Sequence, residues 1–234
     1  MCGRFSLAVP VADLCSLFGI DLQALLPPLT PRYNIAPTQT VPVVRASPET
    51  GQRELAFMRW GLIPSWSKDP KIGAKLTNAR AETITEKPSF RSAYKKRRCL
   101  VPTTGFYEWR REGKTKQPFY IRMRDTKPYA LGGIWEKWTS PEGEAVHTFS
   151  IITTGPNEVM LPIHDRMPVI VPPEHFDAWL DPKGQDAAAL AERLDPITAQ
   201  GMEAVPVSNY VNKASNEGLQ CVAPPEKPDA SLLF

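Results

Sequence analysis

The sequence predicts an α+β domain. Its sheet is expected to be mostly antiparallel and curled or barrel-like, with short peripheral helices. Two observations carry this. Proline supplies 25 of 234 residues, twice the usual share of roughly 5%. It breaks helix interiors and cannot donate to a ladder, so long regular elements are disfavoured. Short strand-like runs also recur along the chain with few long helical patterns between them, which favours an antiparallel architecture. The hydrophobic share of 42% and charged share of 23% are those of a globular protein rather than a disordered one.

The elements follow in order. A short strand is expected at residues 4–8. Pro10 suits a helix start, and apolar residues follow it at 11, 14, 15, 17 and 18. The proline-rich stretch 27–38 reads as a loop, and strands follow at 41–46 and 53–60. Residues 61–80 read as a long irregular loop; loops of that length are usually functional. A helix is expected near 86–95, then strands at 98–101, 105–111 and 118–124. Glu112-Gly113-Lys114-Thr115-Lys116 joins the last two as a hairpin-like turn. Strands at 129–137, 146–153 and 167–171 and short helices at 157–161, 173–180 and 185–194 complete the reading. No internal repeat and no linker precede about residue 222, so one domain is expected over 1–222, with a flexible tail at 223–234.

No stretch approaches the roughly 18 apolar residues of a membrane span, and the first residues lack a signal-peptide pattern. A cytoplasmic protein is expected, near the nucleoid in a bacterium or nuclear in a eukaryote. The cysteines Cys2, Cys15, Cys99 and Cys221 are scattered, with no C-x-x-C pair. Neither a metal site nor a disulfide framework is expected of them, and no cofactor is implied.

Charge is uneven. Residues 53–127 hold 19 of the 28 Lys and Arg but 7 of the 25 Asp and Glu, a local excess of +12 in a chain of net charge +3. The densest run is Lys95-Lys96-Arg97-Arg98, followed by Arg110, Arg111, Lys114, Lys116, Arg122 and Arg124. Aromatic residues interleave with it, among them Trp60, Trp66, Phe106, Tyr107 and Trp109. Basic groups track phosphates and aromatic faces stack on unpaired bases. A solvated surface over an ordinary aromatic core is the plain alternative.

Cys2 is the most informative residue. A small side chain after the initiator methionine normally permits removal of Met1, which leaves a terminal 1,2-aminothiol. With a reference pKa of about 7.7–8.0, its amine is partly neutral at physiological pH. A neutral amine attacks an aldehyde to give an imine, and the adjacent thiol then closes a five-membered thiazolidine. A cysteine at position 2 by chance is the alternative.

Three other places offer partners. Glu108 sits among aromatics in Gly105-Phe106-Tyr107-Glu108-Trp109, where an apolar setting raises a carboxyl pKa and suits it to proton transfer. It reads equally as an outward-facing residue of an alternating strand. His164 lies in a proline-bounded turn and is one of three histidines; it reads as a proton donor or acceptor or as a structural turn cap. Asn78 and Arg80 lie two apart on an extended segment and therefore face the same side. They could hold a sugar oxygen and a phosphate, or stabilise their loop.

Together, Met1-Cys2-Gly3-Arg4-Phe5, Arg32-Tyr33-Asn34-Ile35-Ala36-Pro37, Trp60-Gly61-Leu62-Ile63-Pro64-Ser65-Trp66, Asn78-Ala79-Arg80-Ala81-Glu82, Gly105-Phe106-Tyr107-Glu108-Trp109 and Ile163-His164-Asp165-Arg166-Met167-Pro168 resemble the SRAP family, the SOS-response-associated peptidases understood as abasic-site shields. The resemblance runs in order from residue 2 to about 215. It implies a crosslink between mature Cys2 and the ring-opened aldehyde of an abasic site in single-stranded DNA. Glu108 would then move protons and assist reversal. His164 would protonate the sugar ring oxygen, and Asn78 and Arg80 would position the sugar and its phosphates. Arg4, Asn34 and Arg166 look like further DNA contacts, and Trp66 resembles a residue stacking at the edge of the DNA. Ser67 stands where some members carry a second tryptophan. Strand cleavage at the abasic site is a further implied activity.

Two enzyme alternatives share the terminal cysteine. One is a peptidase that removes its own Met1 through Cys2, Glu108 and His164. The other is a class II glutamine amidotransferase, in which the thiol attacks an amide. Its usual Gly-Ile continuation is absent here, since Gly3-Arg4-Phe5 follows Cys2. A plain single-strand binder, for which Cys2 is dispensable, is a third alternative. The end, Ala230-Ser231-Leu232-Leu233-Phe234, loosely resembles peptides that dock on bacterial sliding clamps.

Overall fold

The computed structural model describes residues 2–21, 29–184 and 194–225. Its centre is a ring of five strands: β3 (Thr40–Ala46), β4 (Arg53–Trp60), β6 (Arg98–Thr103), β9 (Tyr129–Thr139) and β10 (Ala145–Thr154). Neighbours in the order β4-β3-β6-β9-β10 pair antiparallel. The ring closes where β10 runs parallel to β4, with Phe149 opposite Trp60. Closure removes the unpaired edges that an open sheet exposes. Three short strands extend it. Parallel β5 (Asn78–Arg80) and antiparallel β11 (Met167–Pro168) join β10, and β12 (Ile170–Val171) joins β9.

A second, antiparallel sheet has the order β13-β8-β7-β1-β2. Its strands are β1 (Phe5–Leu7), β2 (Arg32–Ile35), β7 (Gly105–Glu112), β8 (Thr115–Met123) and β13 (Met202–Pro206). One core joins it to the barrel. Phe5 of β1 meets Trp60 of β4 edge-on at 5.2 Å, and Trp60 stacks on Phe149 at 6.3 Å. All three are buried, and burying side chains of this size dominates core energetics.

The helices are short, as the proline content requires. α1 (Val11–Phe18) buries Leu14 and Phe18 and stops at left-handed Gly19, the usual glycine terminus. Phe18 stacks on Phe176 of α3 (Phe176–Leu180) at 5.2 Å. α2 (Arg91–Lys96) packs against β9 and β6. Arg98 is 2% exposed. It donates to the carbonyls of Tyr94, Lys95, Trp179, Asp181 and Gly184, so one buried guanidinium satisfies carbonyls around the ends of α2 and α3.

The expected curled α+β architecture is the one observed. Several elements differ. The loop expected at 27–38 contains β2, whose pairing to β1 overrides its proline-rich surroundings. The loop at 61–80 contains a 3₁₀ turn at Pro70–Lys75 and β5. Residues 157–161 form turns rather than a helix. The strand expected at 167–171 divides into β11 and β12 because its two ends pair with different strands. β13 had no expectation; its five residues show no strict alternation. Of the helix expected at 185–194, residues 185–193 lie outside the described residues, as does 226–234 of the expected tail and clamp-binding segment.

Candidate active site

Strand pairing assembles the site. Phe5 lies opposite Phe106, and the Tyr107 amide donates to the Arg4 carbonyl at 2.9 Å. The same register carries Glu108 alongside Gly3, beside Cys2. From the barrel side, Ile151 of β10 lies opposite Asn78 of β5. The Asn78 side-chain amide donates to the Cys2 carbonyl at 2.8 Å. The two sheets therefore meet at Cys2, which is fully buried. Asn78 Oδ1 is buried with no hydrogen-bond partner among the described residues, an acceptor kept dry inside a polar cluster.

Burial, reinforced by the Glu108 carboxylate, pushes the Cys2 thiol far above its ordinary value. The thiol stays protonated until a base takes its proton. Glu108 is 3% exposed. Burial raises its carboxyl above the ordinary range, and the charges of the terminal amine and, less, of His164 pull it back. The structure thus links four residues in series: Asn78 to Cys2 by a hydrogen bond, and Cys2 to Glu108 and Glu108 to His164 electrostatically. Glu108 points inward on its alternating strand, which excludes the outward-facing alternative.

His164 Nδ1 accepts the Arg166 amide at 3.0 Å. Asp165 Oδ1 lies 3.0 Å from the same Nδ1. Arg166 is held by both Glu82 oxygens, at 2.5 and 3.0 Å, and by the Thr153 carbonyl. The Arg166 guanidinium and its neighbour Arg80 hold the Glu82 carboxyl below its ordinary value.

Ala79 is buried between Asn78 and Arg80, so strand alternation does put those two on the opposite side together; Arg80 is exposed. Trp66 is 61% exposed. Its loop is tied to the barrel by Trp138 Nε1, which donates to the Ser67 carbonyl at 2.7 Å. Asn34 has no exposed surface. Its amide nitrogen donates to the carbonyls of Val211, Lys213 and Asn216, and its oxygen accepts from Arg4 at 2.6 Å. The DNA contact expected of Asn34 therefore has no exposed atom to make it; the residue braces the chain instead. Arg4 also donates to the Val211 and Asn212 carbonyls and lies 5.9 Å from the Trp109 ring centroid.

Sequence reasoning missed the strap at 207–222 that these residues hold. Glu217 pairs with Arg32 and accepts from the Tyr33 amide. Asn212 Oδ1 accepts from Trp109 Nε1 at 2.7 Å. Val207, Val211 and Cys221 pack on Tyr107 and Tyr120 as a small separate core. It also missed Glu82, although that residue ends a quoted motif. Among the described residues no group of three or more His, Cys, Asp or Glu could hold a metal, and no helix is long and apolar enough to cross a membrane.

A buried cysteine one residue from the start, joined to a carboxylate, an imidazole and a carboxamide across two sheets, defines an N-terminal-cysteine site on a small α+β barrel. The profile of the SOS response associated peptidase (SRAP) family matches residues 1–214. The abasic site processing protein YoqW of Bacillus subtilis is 44% identical over 95% of this chain and 99% of its own length. The abasic site processing protein HMCES of Xenopus tropicalis is 34% identical over 82% of this chain and 66% of its own. A crystal structure of a Bacteroides thetaiotaomicron protein superposes with a TM-score of 0.86 at 31% identity, covering 96% of this chain and all of that one. The chain belongs to the SRAP family.

Proposed function

We propose that this chain processes abasic sites in single-stranded DNA by forming a thiazolidine between Cys2, exposed as the chain terminus by loss of Met1, and the ring-opened sugar aldehyde. The observation that carries this is the convergence of Asn78, Glu108 and His164 on a buried Cys2. The family membership and the names of the relatives support the same substrate.

The geometry supports the following chemistry. His164 passes a proton to the sugar ring oxygen as the ring opens. The Cys2 amine adds to the aldehyde carbon, and water leaves to give an imine. The Cys2 sulfur then bonds to the imine carbon as its proton passes to nitrogen. A thiol held protonated by burial needs a nearby carrier for that transfer, and a carboxyl raised toward neutrality can both accept and return the proton. Reversal uses the same carrier. An imine that escapes thiol capture can instead lose its strand by β-elimination, the lyase branch. Removal of Met1 by this same site is the narrower reading of the family's peptidase name. Arg80, Arg166 and Arg4 bind phosphates, and Trp66 stacks on a base beside the lesion.

The test is a denaturing gel of chain beginning at Cys2 with single-stranded DNA carrying one abasic site. A thiazolidine survives denaturation, and an unreduced imine does not. Cys2→Ser should lose the stable adduct while still binding DNA. A variant with one extra residue before Cys2 should lose it with the thiol intact. Equal crosslinking by that blocked variant overturns the aminothiol mechanism.

A further inference from the structure

The site strand β7 does not end at the site. Beyond Glu108 and Trp109 it continues into a hairpin with β8, in which Trp109 lies opposite Pro118, Arg110 opposite Gln117 and Arg111 opposite Lys116. Residues directly opposite on an antiparallel pair share a face, and positions two apart share it too. Trp109, Arg111 and Lys116 therefore lie in one row. Arg4 lies 5.9 Å from the ring centroid of Trp109, in the same row.

Two features separate this hairpin from an ordinary solvated surface. Arg110 is accounted for: it stacks on Phe119 at 4.7 Å and pairs with Glu112 at 2.5 Å. Arg111 and Lys116 have no such partner; both are exposed, and neither makes an ion pair among the described residues. Like charges directly opposite on a ladder destabilise it, so this pair works against its own hairpin in the absence of an anion. Cβ atoms so paired stand roughly 5 Å apart, close enough for both cations to reach one phosphate. At about 3.3 Å per strand residue, Arg111 lies ~10 Å along β7 from Glu108, on the face that carries Trp109 and Arg4 rather than the one that carries Glu108.

We propose that the Arg111–Lys116 pair is a phosphate subsite for the DNA strand flanking the abasic nucleotide, reached along the row Arg4, Trp109, Arg111 and Lys116. The proposal rests on the reading of the Cys2 site and extends it outward. It gives the hairpin a function that the chemistry at Cys2 does not need: gripping long strands without touching the reacting atoms.

The test uses full-length chain beginning at Cys2 and the double variant R111Q/K116Q. The DNA probes are single-stranded, of about 20 and about three nucleotides, each with a central abasic site; the short one leaves one nucleotide on either side of the lesion and stops short of a hairpin ~10 Å away along β7. Affinity for the long probe should fall about tenfold, and its log–log salt slope should become shallower by about 0.7, the share of one single-strand phosphate. Affinity for the short probe and the adduct formed at saturating DNA should not change. The variant should be at least as heat-stable as the parent, because the opposed charges are gone. An unchanged slope on the long probe, or equal losses on both probes, overturns the subsite. Absence of any adduct with the parent chain would instead count against the Cys2 reading and leave the slope comparison intact.

Discussion

Replacing Asn34 with alanine tests whether that residue braces the site or binds DNA. The structure gives it four hydrogen bonds, three donated to the carbonyls of Val211, Lys213 and Asn216 and one accepted from Arg4. Its amide has only two hydrogens, so the donated set counts as two full bonds. Two neutral bonds at about 1 kcal/mol each and one charge-assisted bond at about 2 give a loss of about 4 kcal/mol. For a domain of this size that lowers Tm by roughly 8–16 °C. Calorimetry measures the shift, and hydrogen exchange of residues 209–222 locates it. If Asn34 held DNA rather than the strap, alanine would instead weaken DNA binding and leave Tm within about 3 °C of the parent, inside the range of a surface change. That result, with unchanged exchange in the strap, would refute the bracing account.

Three further outcomes are expected. Gly61→Ala should cost about 3 kcal/mol in urea unfolding, because Gly61 has φ +124° and a Cβ there would stand 2.6 Å from the Gly73 carbonyl oxygen; a midpoint equal to the parent's would refute it. DNA affinity measured against salt should give a single-strand slope of roughly −3 if about four phosphates are contacted, and Arg80→Ala should weaken every sequence alike, whereas a sequence-selective loss would indicate base readout.

Much of this site was legible in the sequence because its chemistry is local in type. A terminal cysteine is identified by position alone, and Glu108 by its aromatic neighbours. The strand alternation that aligns Asn78 with Arg80 is a two-residue rule. Asn34 was not legible in the same way. Its surroundings are made by residues 177 to 182 positions away, and no local pattern distinguishes an amide donating to distant carbonyls from one facing solvent. β13 was missed for a related reason: its five residues, Met202–Pro206, are a strand because β8 is beside them. The barrel's closing seam is likewise a tertiary fact, since parallel pairing of β4 and β10 joins segments some ninety residues apart. What composition did report was the limit on helix length, since the eight-residue α1 is the longest described α-helix; it did not limit the strands, of which β9 runs to eleven residues and β10 to ten.

The Glu108 carboxyl ties stability to chemistry with opposite signs. Burial raises its folded-state value above the ordinary 4.5. Between 4.5 and that raised value the folded chain holds a proton that the unfolded chain has released. Stability must therefore fall as pH rises through this window and stay lowered above it. Below 4.5 both states are protonated and Glu108 imposes no penalty. Glutamine keeps the shape but never ionises. Glu108→Gln should accordingly match the parent in acid and exceed it at neutral pH, in chemical unfolding followed across the two conditions. The same variant should crosslink more slowly, because no carboxyl remains to take the thiol proton, and should bind DNA as before, because the arginines are untouched. A variant less stable than its parent at neutral pH would mean that the ionised carboxylate is held by favourable contacts rather than confined by burial, and the proton-carrier role would lose its physical basis.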